Sequence, residues 1–502
     1  MDIVHALTNG FGVALQPINL LLVFLGCLVG TLIGVLPGIG PISGVALLVP
    51  LTFALKLPPE SAIILLAGIY YGAMYGGSTT SILLNIPGET SSVVTTLDGN
   101  QMAKQGRAGP ALAVAAWGSF IAGTLSVVGL MLLGPLLAKW AIRFGPAEYF
   151  ALMIFGFSTL SALAGKNMAK ALISTLLGLM LATVGQDPQS GISRYTFGLL
   201  QLEDGIDFLV VAIGLFAVSE VLVLLEEKTP NAVRTRVGRI YLSLKEFVFS
   251  LSSILRGSVL GFLIGVLPGA GASIASFVSY TLEKQLHGAR GSFGQGDIRG
   301  VAAPESANNA AAGGAMIPLL TLGLPGSGTT AIMLGALVSL GVTPGPQMFQ
   351  QHPAVVWGLI ASMYVGNAML LMLNLPLVGL FVRLLSVPRW FLLPSVLAVS
   401  FIGVYAVNNN PFDLLLMTIF GLMGYLMRKF DFPLAPVLLG LVLGYLMEIN
   451  LRRAMAISNG DVSFLFSSPI AIGLWLLAGL SLLAPAILSR FVKREALGDD
   501  EI

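Results

Sequence analysis

GCLVGTLIGVLPGIG occupies residues 26–40, and GSVLGFLIGVLPGAG occupies residues 257–271. The two stretches agree at ten of fifteen positions, and their glycines coincide: Gly26, Gly30, Gly34 and Gly38 against Gly257, Gly261, Gly265 and Gly269. Each is an apolar run that ends at a Leu-Pro-Gly break. Glycines four apart let membrane helices approach closely, which accounts for Gly26, Gly30, Gly257 and Gly261 as packing residues. The proline removes a backbone donor and disfavours helix at the leucine before it. The parallel continues downstream, where Asn85-Ile-Pro-Gly88 stands opposite Gly323-Leu-Pro-Gly326. Residues 140–184 also resemble residues 383–427 in their rhythm of helices and breaks. A period of about 235 residues is far beyond a solenoid repeat and reads as a duplicated half. Residues 1–235 are expected to form a first membrane repeat and 236–502 a second, within a single transmembrane domain.

Composition sets the medium. The chain has 502 residues, of which 56% are AVILMFWYC and only 10% are charged, with 60 glycines besides. Soluble domains carry about 25% charged residues; with a mean hydropathy of +0.89, this chain cannot cover itself with a water-soluble surface. No Asp, Glu, Lys or Arg occurs in residues 3–55, 61–88, 108–138 or 306–382. At about 20 apolar residues per crossing, the whole chain holds about twelve to fourteen membrane segments, some of them interrupted or re-entrant. An all-α polytopic membrane protein is the expected class. A net charge of +2 gives no reason to expect nucleic acid. The lone cysteine, Cys27, excludes an intrachain disulfide.

Basic residues give an orientation. Lys228, Arg234, Arg236, Arg239 and Lys245 place the central loop in the cytoplasm, and Arg490, Lys493 and Arg494 place the C-terminus there. Counting back, the acidic loop 186–204 falls outside, the loop with Lys166 and Lys170 falls inside, and the N-terminus is expected in the periplasm. The matching loops of the second half reverse: Asn408, Asn409 and Asn410 fall outside and Arg428 and Lys429 inside. Lys139, Arg143, Arg452 and Arg453 run against this count. An inverted-topology repeat is expected, with a parallel duplication as the alternative. Inverted repeats with broken helices are a recurring plan of secondary transporters, whose sites lie near the bilayer midplane. Broken backbone survives in a membrane where it lines a cavity or is buried in protein.

Three groups are candidates for the site. The first comprises the Pro-Gly tips: Pro37, Gly38 and Gly40, with Pro268, Gly269, Gly271 and Ser273. A helix restarting there presents free N–H groups to an anion. The second sets hydroxyls and an amide beside the later breaks: Ser78, Thr79, Thr80, Asn85, Pro87, Gly88, Thr90 and Ser91, then Pro325, Gly326, Ser327, Gly328 and Thr329. Such groups suit a carboxylate, although membrane Ser and Thr also bond their own backbone. The third is Glu305 with Asn308 and Asn309, hard oxygen donors for a bound Na⁺ or a proton carrier; the alternative is an interfacial carboxylate at a helix start. Asp98, Lys104 and Arg107 read as a solvated polar connector.

At GVLPGIGP (34–41), YGGSTTSILLNIPGE (75–89), LDGNQMAKQGRAGPAL (97–112), GVLPGAGA (265–272), APESANNAAAGGAMIPLLTLGLPGSGTTA (303–331) and GVTPGPQMF (341–349), the sequence resembles the large membrane subunit of the tripartite tricarboxylate transporter family, TctA. The resemblance implies a binding-protein-dependent importer in a bacterial inner membrane. Its implied partners are a small four-helix membrane subunit and a periplasmic solute-binding protein. Uptake of citrate, another tricarboxylate or a related carboxylate would be driven by a Na⁺ or H⁺ gradient. The chain has no Walker A pattern, in keeping with transport without ATP. No cofactor beyond bound Na⁺ is implied.

No Arg or Lys stands inside the two Pro-Gly segments, so a polyanion would be held by backbone N–H groups and hydroxyls, with Na⁺ compensating its charge. Other classes fit less well. The three histidines, His5, His287 and His352, lack the spacing of a zinc protease, and Gly326-Ser-Gly328 has no local base, so no enzyme is expected. A stand-alone carboxylate transporter, or a channel or scaffold without active transport, remains as the alternative.

Overall fold

The computed structural model describes residues 3–36, 39–163, 167–187, 189–226, 239–269, 271–384 and 389–498. Pro37 and Gly38 of the first tip lie outside the described residues, as do Lys166, Lys228, Arg234 and Arg236 of the orientation count.

The chain is helical almost throughout. It begins with α1 (Ile3–Ala14), α2 (Pro17–Val35), α3 (Pro41–Ala54), α4 (Pro59–Leu84) and α5 (Thr95–Lys104). There follow the long α6 (Ala108–Ala141), α7 (Pro146–Leu163) and α8 (Met168–Ala182). A two-residue hairpin pairs β1 (Gly185–Gln186) with β2 (Ser193–Arg194), antiparallel, Gly185 opposite Arg194. Next, α9 (Phe208–Ala212) passes through a π-helical turn, Ile213–Val218, into α10 (Ser219–Glu226). Then come α11 (Leu244–Val266), α12 (Gly271–His287), α13 (Arg299–Gly314), α14 (Met316–Leu322), α15 (Gly328–Ser339) and α16 (Met348–Gln351). The chain closes with α17 (Pro353–Asn374), α18 (Val378–Leu384), α19 (Arg389–Asn408), α20 (Pro411–Lys429), α21 (Ala435–Ile457) and α22 (Pro469–Gly498).

Among the described residues, eight helices are long and apolar enough to cross a membrane. Five shorter apolar helices, α3, α8 and α15 among them, carry much of the remaining apolar length. The protein is thus an all-α polytopic membrane protein. Large apolar side chains that face outward, such as Leu21 and Phe24 on α2 or Val259 and Leu263 on α11, suit lipid rather than water.

Two compact units form, and neither is a contiguous half of the sequence. One comprises Met1–Lys139 with Leu209–Tyr425, the other Trp140–Phe208 with Leu426–Ile502. In the first, α4 and α13 form the centre. Every residue of α4 from Ser61 to Leu83 and every residue of α13 is buried, as expected of helices without a polar stripe facing solvent. In the second, α8 packs on α21, where a Cβ on Gly178 would lie 2.1 Å from the Val437 carbonyl oxygen. Beside them Arg452 reaches Asp187 and Glu448, both at 2.6 Å, and Arg194 reaches Glu448 at 2.8 Å.

Candidate functional site

The site is assembled from two sets of elements in the first unit that repeat each other in detail. Helix α2 lies along α4, and α11 lies along α13. A Cβ on Gly30 would fall 2.3 Å from the Ile69 carbonyl oxygen, and one on Gly34 2.2 Å from that of Ala73. The matching positions Gly261 and Gly265 meet Ala307 and Ala311 at 2.2 and 2.3 Å. These contacts are backbone on backbone, so Gly34 and Gly265 are packing residues like the glycines before them. Both helices then stop in extended backbone at the leucine preceding proline, Leu36 (φ −80°, ψ 113°) and Leu267 (φ −75°, ψ 122°). The helix restarts at Pro41 behind Gly40 in the first set and at Gly271 in the second.

The later breaks match as closely. Helix α4 ends on Asn85 in the left-handed region (φ 59°, ψ 27°), and the next N–H, that of Ile86, bonds back to the Thr80 carbonyl at 3.4 Å. Helix α14 ends on Gly323 (φ 67°, ψ 25°), and the Leu324 N–H bonds back to the Pro318 carbonyl at 3.1 Å. Asparagine and glycine are the residues that tolerate this turn. The chain then folds back, and a Cβ on Gly88 would meet the Gly34 carbonyl oxygen at 2.2 Å. One on Gly326 would meet the Gly265 carbonyl oxygen at 3.0 Å. Each break closes in a capping box: Glu89 with Ser92 over the short turn Thr90–Ser92, and Ser327 with Thr330 at the start of α15.

The two sets meet crosswise. The hydroxyls of Thr90, from the first cluster, and Ser273, from the second tip, share a hydrogen bond of 2.8 Å, and the turn Thr90–Ser92 packs on α12. Reciprocally, α15 packs on α3, and the Ser327 hydroxyl stands 3.3 Å from that of Tyr70. Gly40 faces Glu89, with 3.8 Å between the Cβ position at Gly40 and the Glu89 Cβ. Thus Gly40, Gly88, Thr90, Ser91, Ser273 and Ser327 come together near this crossing. Ser78, Thr79 and Thr80 stand apart in character: they are buried within α4, and Ser78 and Thr80 donate to the carbonyls of Tyr75 and Gly77 at 2.8 and 3.4 Å. Asn85 is exposed and Pro87 half-buried. Pro268, Pro325 and Thr329 are buried, while Gly269, Gly271 and Gly328 are half-buried.

Glu305 is 0% exposed, in the middle of α13. It accepts hydrogen bonds from the Thr95 hydroxyl at 2.5 Å and the Asn308 amide at 3.3 Å. The Asn309 amide donates to the Ser119 hydroxyl at 2.8 Å, while Asn309 Oδ1 is buried with no partner. Carboxylate, hydroxyl and amide oxygens form a hard donor set of the kind that alkali and alkaline-earth cations take, and the orphaned Oδ1 is a free donor beside it. Among the described residues, no basic side chain pairs with Glu305, and no group of three His, Cys, Asp or Glu is placed for a metal. A cavity of about 10 Å³ among Cys27, Tyr71, Ser362 and Asn367 has room for one water and not for a carboxylate.

Asp98 corrects the sequence reading of a solvated connector. It is 0% exposed and accepts from the backbone N–H groups of Gly294, Gly296 and Asp297 at 2.8, 2.8 and 2.9 Å and from the Tyr280 hydroxyl at 2.9 Å. It ties α5 to the loop that leads into α13. Arg107 is paired with Glu246 at 2.9 Å. Sequence reasoning also left out Glu89, Thr95, Ser119 and Tyr70. Glu89 carried a signal, as the first charge after the window 61–88, whereas the other three carried none.

The pattern described as "Tripartite tricarboxylate transporter TctA family" matches residues 20–439, a span that holds every candidate residue. The chain is 47% identical over 489 residues to a protein of Agrobacterium vitis described as "Uncharacterized 52.8 kDa protein in TAR-I ttuC' 3'region", covering 97% of each. A second protein of that organism, "Uncharacterized protein in TAR-II ttuC' 3'region", is 48% identical over 233 residues, covering 46% of this chain and 96% of the other. No solved structure matches the chain.

Proposed function

The chain belongs to the tripartite tricarboxylate transporter TctA family, and from that premise we propose that it is the large permease subunit of a cation-driven carboxylate importer. It works in a bacterial inner membrane with a small four-helix subunit and a periplasmic solute-binding protein, taking up citrate, another tricarboxylate or a related carboxylate. The observation that carries this reading is the Thr90–Ser273 hydrogen bond of 2.8 Å, which joins the hydroxyl cluster of one half to the Pro-Gly tip of the other. The two halves act as inverted copies whose broken helices share one substrate. The restarting helices at Gly40 and Gly271, with the hydroxyls of Thr90, Ser91, Ser273 and Ser327, hold the carboxylate. No Lys or Arg of the Pro-Gly segments takes part, so a cation held by Glu305, Thr95 and Asn309 compensates the buried charge.

The test is uptake of radiolabelled citrate into vesicles that contain the chain and its small subunit, with binding protein added outside. Accumulation against the citrate gradient under an imposed Na⁺ or proton gradient is expected, with Glu305→Gln largely inactive. Passive flux with single-channel currents, or no uptake across a panel of carboxylates, would refute it.

A further inference from the structure

Glu89 and Ser327 occupy equivalent places with nearly the same backbone, φ −146°, ψ 170° and φ −154°, ψ 168°. Each donates its own N–H to the hydroxyl three residues on, Ser92 at 3.3 Å or Thr330 at 2.8 Å; the Thr330 N–H returns to the Ser327 hydroxyl, and the Ser92 N–H to the Glu89 backbone carbonyl. A serine therefore suffices for the cap, and the second copy uses one. The first copy has a carboxylate there instead, 9% exposed, which accepts from the Ser91 hydroxyl. Among the described residues no basic side chain pairs with it. It is held against α4, where a Cβ on Gly77 would lie 2.9 Å from the Glu89 Cγ, and its Cβ is 3.8 Å from the Cβ position at Gly40. The residue after it, Thr90, makes the bond to Ser273.

Once ionised, a carboxylate at this point repels the anion that the crossing is read to bind, and the low local dielectric strengthens the repulsion. Capping does not require that charge. We propose that Glu89 is the residue that enforces coupling: it admits a substrate carboxylate only together with a Na⁺ ion that its own oxygens bind. The cation enters first, offsets the Glu89 charge and leaves the hydroxyls and N–H groups free for the carboxylate. Glu89 is thereby a second cation ligand, contributed by the first copy, as Glu305 is contributed by the second. This inference rests on the carboxylate-import reading, but binding of the cation alone can be measured without it.

The experiment uses the purified full chain with ²²Na⁺ and with citrate as separate probes, comparing wild type with Glu89→Gln and Glu89→Ser. The serine variant copies the cap of the second set, so it keeps the fold where glutamine fails to. In wild type, citrate affinity is expected to rise about 5–150-fold on Na⁺ saturation, the usual span for two coupled ligands, and by less than about twofold in either variant. Both variants should also bind less ²²Na⁺ than wild type, at an unchanged melting temperature, with the cation at Glu305 retained. If wild type binds no citrate in any salt, the import reading fails and the ²²Na⁺ measurement alone decides the role of Glu89. Undiminished ²²Na⁺ binding in a folded variant, no ²²Na⁺ binding by wild type, or Na⁺-dependent citrate binding that survives the substitution would each overturn the proposal.

Discussion

Replacing Gly265 by alanine tests the helix contact on which the crossing is built. The added Cβ would stand 2.3 Å from the Ala311 carbonyl oxygen and 2.6 Å from its Cα, where ordinary contacts lie at 3.4–4 Å. Both obstacles are backbone atoms, so no rotamer change relieves them, and α11 must move off α13 by roughly 1 Å. Overpacking of this kind costs about 1–3 kcal/mol. Alanine is also the better helix former, by roughly 0.8–1 kcal/mol, so the expected net loss is about 0–2 kcal/mol, with Gly34→Ala, at 2.2 Å from Ala73, at least as severe. Gly479 supplies the opposite sign: it lies inside α22 with nothing within 4 Å of its Cβ position. There the propensity gain acts alone, and Gly479→Ala should stabilise by up to about 1 kcal/mol. Unfolding curves in mixed micelles with increasing denaturing detergent would rank the three variants. If Gly265→Ala and Gly34→Ala shift the midpoint upward together with Gly479→Ala, the close approach is not a feature of the folded protein.

Truncating Asp98 to alanine should destabilise by about 3 kcal/mol, since it strands three backbone N–H groups; hydrogen exchange at residues 294–297 should quicken, and unchanged protection there would dismiss the nest. A double-mutant cycle on Thr90→Ala and Ser273→Ala should give a coupling of about 0.5–1.5 kcal/mol, and additive effects would mean that the two halves do not touch there. In the loop at Asp187, the Ser190 N–H, the Arg452 guanidinium and the Gln189 N–H hold the carboxyl well below its ordinary value. The folded value lies beneath the unfolded one, so this contribution is complete above about pH 4 and fades as the pH falls below that. Melting temperature should therefore drop more steeply on acidification in wild type than in Asp187→Asn; parallel profiles would count against the network.

The features legible in the sequence were those with local causes. Helix ends at Leu36 and Leu267 follow from the prolines behind them, and the turn at Gly323 from the absence of a Cβ. The glycine spacing showed where helices would touch, though not that Gly34 and Gly265 belong to the packing rather than to the tips. Contacts made by distant residues left no trace. Thr90 and Ser273 are 183 positions apart, and Thr95 and Glu305 are 210 apart. Asp98 was misread for the same reason: the sequence around it looks like a hydrated loop, and the N–H groups that bury it come from residues 294–297. The hydroxyls of Ser78 and Thr80 were legible as a cluster, and they take the course also expected of membrane serines and threonines, bonding their own helix.

The two sets share their backbone and differ in their charges. Gly34 meets Ala73 as Gly265 meets Ala311, which aligns Glu305 with Ala67, Asn308 with Tyr70 and Asn309 with Tyr71. The same register aligns Glu89 with Ser327. Glu89 and Glu305 are therefore both buried acids without an acidic twin in the other set. An acid at both positions in both sets would put four carboxylates in one charge-poor region, where like charges repel one another and each also carries its own desolvation cost. A backbone kept common holds the breaks in register, while unequal charges let the two halves take different work: Glu305 lies deep in α13, held by Thr95 and Asn308, and Glu89 lies at the tip, beside the residues through which the halves touch. On this view exchanging the caps, Glu89→Ser with Ser327→Glu, should not restore what Glu89→Ser removes. The carboxylate would then stand next to Tyr70 and α3 rather than beside the Thr90–Ser273 contact.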